Sequence, residues 1–145
     1  MGMEQTENQD VFDIAERDVF RFSSEFPDDA SHGIPDHYHI CVKTEEGYMI
    51  FSCCTSQKGK VEDRIKYFGR TYVELTNMKK SKLKEPTFVD CDNVYVISEE
   101  TFVKYQEDKL VEFAGLISKY DYQNIVKGLL SSDLIELRIK KLLVK

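Results

Sequence analysis

His37-Tyr-His-Ile-Cys-Val-Lys-Thr-Glu-Glu-Gly-Tyr-Met-Ile-Phe-Ser-Cys-Cys-Thr-Ser56 decides the fold. Tyr38 to Lys43 and Tyr48 to Cys54 are short apolar runs rich in β-branched and aromatic residues, the composition of strands. Thr44-Glu-Glu-Gly47 between them reads as a turn, with Gly47 suited to a positive φ. The pair predicts a β-hairpin. Both runs are almost continuously apolar, which suits central strands covered on both faces.

Working outward, Val11 to Phe26 mixes acids with Phe12, Ile14, Val19, Phe20, Phe22 and Phe26 and reads as a short helix followed by an extended piece. Pro27 to Gly33 reads as a loop. Downstream, residues 55–70 are polar and basic and predict a loop with a helical turn at Val61 to Tyr67. Thr71 to Leu75, Thr87 to Cys91 and Asn93 to Ile97 read as strands, and Thr76 to Glu85 as a second basic loop. Ser98-Glu-Glu-Thr opens a helix with a capping serine and acids in its first turn. Leu110 to Ile117 is strand-like. Ser118 then begins a helix running through Leu130, and Ser132 is expected to cap a last helix over Asp133 to Val144. Strands first and helices last argue an α+β protein with a small, mostly antiparallel sheet and C-terminal helices that pack on its core.

The chain has 145 residues, enough for one domain with its own core. Residues 1–10 are polar and acidic and read as disordered, leaving 11–145 as a single domain. No run approaches the roughly 18 apolar residues of a membrane span, and the first ten residues lack the basic start and apolar stretch of a secretory signal. A cytoplasmic protein is expected, with Cys41, Cys53, Cys54 and Cys91 as reduced, mostly buried thiols.

The net charge of −6 conceals segregation. Residues 1–31 carry nine acids against Arg17 and Arg21, whereas residues 58–84 carry nine Lys or Arg against three acids. Local basic charge suits a nucleic-acid ligand whatever the overall pI. Within the basic stretch, Lys58, Lys60, Arg64, Lys66 and Arg70 are placed to neutralise phosphates, and Tyr67, Phe68 and Tyr72 lie among them. Exposed rings stack on unpaired bases, so Tyr67 is counted with the RNA-binding set; the alternative is that the rings are tucked into the core. The acidic first 31 residues are a candidate cover for this basic surface.

All three histidines fall within His32-Gly-Ile-Pro-Asp-His37-Tyr-His39. Imidazole titrates nearest neutral pH, which makes it the usual proton-transfer group and a common metal ligand. His37 and His39 are two apart on a strand and share a side. Thr55 and Ser56 end the neighbouring strand. His32, Asp36, His37 and His39 with Cys54 would be a metal set, but their spacing fits no zinc pattern, and no metal or cofactor is expected. No cofactor loop or nucleophile elbow is present.

Four stretches together resemble the MazF/PemK-like toxin family, small SH3-like β-barrels that cleave single-stranded RNA. They are His39-Ile-Cys-Val-Lys43, Tyr48 to Ser56 with its Thr-Ser ending, Phe88-Val-Asp-Cys-Asp-Asn-Val-Tyr-Val-Ile97, and Phe113-Ala-Gly-Leu followed by a helix to Leu130. They run in family order from about residue 34 to residue 130. The resemblance implies a PemK-type antiparallel SH3-like barrel and a toxin-like endoribonuclease with metal-independent acid/base chemistry. His37 and His39 would transfer protons, Thr55 and Ser56 would hold the phosphate, and Gln57 or Arg64 would assist. It implies a cognate antitoxin or a second copy of the chain as partner. The family's arginine beside a proline has no counterpart, since Asp36-His37 stands there. The alternative expectation is therefore a non-catalytic barrel that binds RNA or protein.

Overall fold

The computed structural model describes residues 14–23 and 37–145. The expected disordered segment at 1–10, the helix beginning at Val11, the loop from Pro27 to Gly33, and His32 and Asp36 of the metal set all lie outside the described residues. The described elements are β1 (Asp18–Phe22), β2 (His37–Glu45), β3 (Tyr48–Thr55), α1 (Lys58–Phe68), β4 (Tyr72–Glu74), β5 (Phe88–Asp90), β6 (Tyr95–Ser98), α2 (Glu99–Glu107), β7 (Glu112–Leu116), α3 (Lys119–Ser131) and α4 (Leu137–Leu143).

The expected hairpin is present as β2 and β3, and it is central. β2 pairs β3 on one side and β1 on the other, both antiparallel. The strands run closer to the turn than expected, leaving Glu46-Gly47 as the connection, with Gly47 at φ 88°. The far edge of β3 is shared. Its first half pairs with β6 through Tyr48 to Phe51, and its end pairs with β5 through Cys54 and Thr55. The described strands form one seven-stranded sheet in the order β4-β5-β3-β2-β1-β7, with β6 beside β3.

Both faces of the hairpin are buried, as its unbroken apolar runs require. Ile40, Val42 and Ile50 pack with Ile125 and Leu129 of α3 and Ile139 of α4. On the opposite face Phe20, Phe22, Cys41 and Phe51 pack with Phe102 of α2. Phe51 and Phe102 stack at 5.4 Å, and Phe20 meets Phe102 edge-on at 5.1 Å.

The expected closed barrel is corrected to an open sheet. β4 and β7 are its two ends and do not pair. β4 and β5 are short, with three residues each. The β4–β5 connection lies against β7 instead. Lys82 N–H donates to the Ala114 carbonyl at 2.9 Å and Leu116 N–H to the Lys80 carbonyl at 3.0 Å, with Ser81 bridged to Gly115. Gly115 has φ 95°, and a Cβ there would sit 2.1 Å from the Lys80 oxygen. Gly115→Ala is therefore expected to lift this strip from β7 and cost about 2 kcal/mol or more. A urea midpoint unchanged from wild type would contradict that.

Two local expectations change. Residues 58–68 form a three-turn helix in place of the expected loop with a single helical turn at Val61 to Tyr67, closed by Gly69 in the left-handed conformation at φ 63°. Only Val61 is buried in it, so the amphipathic signal was faint. Ser132 does not cap α4. Its hydroxyl donates to buried Asp92 at 2.6 Å, and α4 begins only at Leu137, after Glu136. The expected α3 is present, with Ser118 accepting from Asp121 N–H at 3.1 Å. No described helix is long and apolar enough to cross a membrane.

Candidate nucleic-acid interface

His39 pairs with Cys53 across β2 and β3. Two residues back along β2 stands His37, and two on along β3 stands Thr55, so the antiparallel register brings them together at one end of the hairpin. They share the wall between two hollows. The larger, about 500 Å³, is lined by His37, Thr55, Ser56 and Gln57 together with Arg21, Tyr38, Lys82, Lys84 and Thr87. The smaller, about 280 Å³, is lined by His37 and Thr55 with Lys60, Arg64, Tyr72, Asp90 and Tyr95.

Three of the four expected catalytic residues, His37, Thr55 and Ser56, are therefore gathered. His39 is not among them, and its expected role is corrected. Its ring is fully buried. It stacks on Phe22 at 4.0 Å with an 11° tilt and meets Tyr95 edge-on. Its Nδ1 lies 3.0 Å from the His37 carbonyl, so Nδ1 carries the hydrogen and donates. Nε2 has no partner. Burial pulls its pKa down to about 4, partly opposed by the bond to His37. A neutral imidazole sealed under Phe22 and Tyr95 exchanges no proton with a ligand in either hollow. His37 and His39 do share a side of β2, but only the end residue is exposed.

The cations come from three elements. Arg21 is the exposed member of β1, whose other residues are wholly or partly buried. It stands opposite Tyr38 in the β1–β2 register. Lys82 and Lys84 come from the β4–β5 connection, and Lys60 and Arg64 from α1. Arg64 donates to the Tyr72 hydroxyl at 2.9 Å, which holds its guanidinium at the rim of the smaller hollow. Lys82 is paired with Glu112 of β7, which raises the lysine's pKa and lowers the carboxylate's. Arg21 and Lys84 form no ion pair among the described residues. Exposed carboxylates compete with phosphate for cations, so, if the expected ligand is RNA, Glu112→Gln strengthens its retention about two- to fivefold at low salt. Unchanged retention would show that Lys82 does not face the ligand.

Of the expected RNA-binding set, Lys60 and Arg64 reach the site. Lys58, Lys66 and Tyr67 project from the rest of α1, and Arg70 follows its end. Tyr67 and Phe68 are not tucked into the core, being 66% and 74% exposed, whereas Tyr72 is partly buried. The Lys66 ammonium lies 5.2 Å over the Tyr67 ring.

Burial disfavours the thiolate at both cysteines beside the cleft: it pushes Cys53 up to about 11 and raises Cys54 well above its ordinary value. Burial also raises the Asp90 carboxyl above its ordinary value, against the bond it accepts from Asp92 N–H. Among the described residues no three His, Cys, Asp or Glu gather as metal ligands. Sequence reasoning missed Arg21, Lys82 and Lys84 as cleft residues. The legible signal for Arg21 was one arginine among the apolar residues of Val19 to Phe22; that it lines the same hollow as His37 needed the sheet.

The fold and site define an α+β protein with a basic two-part cleft at one end of its central hairpin. No protein-family model matches the chain, and no curated protein matches it.

Proposed function

We propose that this chain binds single-stranded RNA across the cleft and cleaves it, as a divergent MazF/PemK-like endoribonuclease of a toxin–antitoxin pair. The observation that carries the reading is the meeting of His37, Thr55 and Ser56 with Arg21 in one open cleft. An arginine absent from the sequence neighbourhood of Pro35 is thus supplied from β1. In the proposed reaction the RNA 2′-oxygen attacks the adjacent phosphorus while His37 takes its proton. The phosphorus–O5′ bond breaks, the 5′-oxygen takes a proton from solvent, and a cyclic phosphate remains. Arg21 and the Thr55 and Ser56 hydroxyls hold the non-bridging oxygens, where charge accumulates. No step calls for a metal. On this reading the open sheet is a relative of the SH3-like PemK-type barrel, the protein acts in the cytoplasm, and its protein partner is an antitoxin or a second copy of the chain.

A second reading is RNA binding without cleavage, and the burial of His39 favours it. Among the described residues one accessible imidazole is left where acid and base catalysis uses two groups. Incubation of the protein with a long single-stranded RNA, with and without EDTA, separates the two. EDTA-resistant cutting with cyclic- or 3′-phosphate ends supports the enzyme. Salt-sensitive retention of intact RNA supports the binding module. Neither cutting nor retention refutes both.

A further inference from the structure

The strip that bonds to β7 carries cations to both of its sides. Lys82 and Lys84 face the cleft, whereas Lys79 and Lys80 line a separate hollow of about 270 Å³ with Arg17 and Lys119. No carboxylate lines this hollow, and none of its four cations forms an ion pair among the described residues. The acid behind its wall, Asp121, is occupied: it accepts from the backbone of Thr76 and Asn77 and from the Thr76 hydroxyl at 2.8–3.0 Å.

Arg17 is held in place. Its N–H donates to the Cys41 carbonyl at 2.9 Å, its carbonyl accepts from Ile117 N–H at 3.0 Å, and its Nε donates to the Ile117 carbonyl at 3.1 Å. It does so at φ 83°, a left-handed backbone that non-glycine residues adopt only under strain. The result is a guanidinium fixed at its Nε, with both terminal nitrogens making no bond among the described residues. A fixed fork beside three unneutralised lysines matches a phosphate, which accepts several charge-assisted hydrogen bonds at once.

We propose that the hollow of Arg17, Lys79, Lys80 and Lys119 is a second phosphodiester site for the RNA strand held in the cleft, with the Lys79 to Lys84 strip as the bridge between them. This rests on the RNA-binding reading. The strand is the favoured occupant because the strip's lysines are continuous from one hollow to the other, and a chain of phosphates is the ligand that presents one charge after another along its length.

The test is fluorescence anisotropy with oligouridylates of about 4 and about 16 nucleotides, the range of site sizes in single-strand binders. The full chain is compared with Lys79→Gln/Lys119→Gln and with Arg21→Gln/Lys84→Gln. The first variant is expected to bind the short oligomer as wild type does. On the long one it should lose about tenfold in affinity at low salt, with a salt slope shallower by about 1.4, since each neutralised phosphate of a single strand contributes about 0.7. Arg17→Gln, whose fold is checked by circular dichroism, should show the same length-dependent loss. Equal affinity of the lysine variant and wild type for the long oligomer, with the cleft variant weakened, would overturn the second site and leave the cleft reading standing. Equal loss at both lengths would also overturn it, because the charges would then act only through the general field. No binding of either oligomer by wild type would remove both. A glutamate-rich peptide held in place of RNA, and released by the lysine variant, would assign the hollow to a protein segment and overturn the proposal.

Discussion

Replacing His37 with alanine is expected to lower the rate of RNA cleavage by at least ~100-fold, with RNA affinity changed by less than about threefold. His37 is the exposed imidazole of the cleft, whereas His39 is sealed behind it. Its neighbours Arg21, Lys84, Thr55 and Ser56 remain in the variant, so the phosphate is still held while the proton acceptor is gone. The expected signature is a loss in kcat with little change in KM. Arg21→Ala should differ, lowering both turnover and affinity, because a guanidinium attracts the phosphate in the ground state and in the transition state alike. Cleavage by His37→Ala within about tenfold of wild type would remove His37 as the base. The binding-module reading would then be the better one, provided that RNA is still retained.

Acid is expected to destabilise the fold through His39, by about 3 kcal/mol between pH 6.5 and about 4. The direction follows from proton uptake. In the unfolded chain the imidazole binds a proton as the pH falls through its ordinary value near 6.5; in the folded chain it resists until about 4. Across that window the unfolded state holds more protons, so stability drops as pH falls. Above the window the group contributes no pH dependence. The cause is structural: a charged ring would lie against Phe22 and Tyr95 with Nε2 lacking an acceptor, and His37 nearby carries a like charge when protonated. His39→Phe keeps a flat ring over Phe22 and cannot titrate. Its urea midpoints should show an acid slope flattened by about that amount. Parallel slopes in the two proteins would show that other groups carry the acid sensitivity. Cleavage by folded His39→Phe near the wild-type rate is the companion expectation, since the buried ring is not part of the site.

Much of the architecture was legible before any coordinates. The hairpin of Tyr38 to Lys43 and Tyr48 to Cys54 was readable because apolar runs broken by a glycine turn have few other solutions, and their lack of alternation foretold cover on both faces. The helices after Ser98 and Ser118 were readable from local caps, and both serines accept the expected backbone bonds from Thr101 and Asp121. The helix at 58–68 was harder to read. With only Val61 buried, its residues answer to solvent and to the cleft rather than to a periodic core. Ser132 misled because its hydroxyl serves Asp92, forty residues away in sequence.

The candidate site divides the same way. His37, Thr55 and Ser56 were visible as chemistry-bearing residues at strand ends, and hairpin register alone predicts that they meet. The different fates of His37 and His39 were not visible, since both share a side of β2 and only Phe22 and Tyr95 decide which is covered. Sequence by itself determined what is set by neighbours in the chain: the strands of the hairpin, the turn at Gly47, the caps at Ser98 and Ser118, and the basic character of residues 58–84. The tertiary structure decided what depends on partners distant in sequence. It put Arg21 into the same hollow as His37, sank His39, laid the Lys80–Lys82 strip on β7, and left the sheet open. The physical reason is that periodicity and capping are energies of adjacent residues, whereas exposure and charge proximity are set by whichever strand arrives alongside, and that is decided only when the whole sheet assembles.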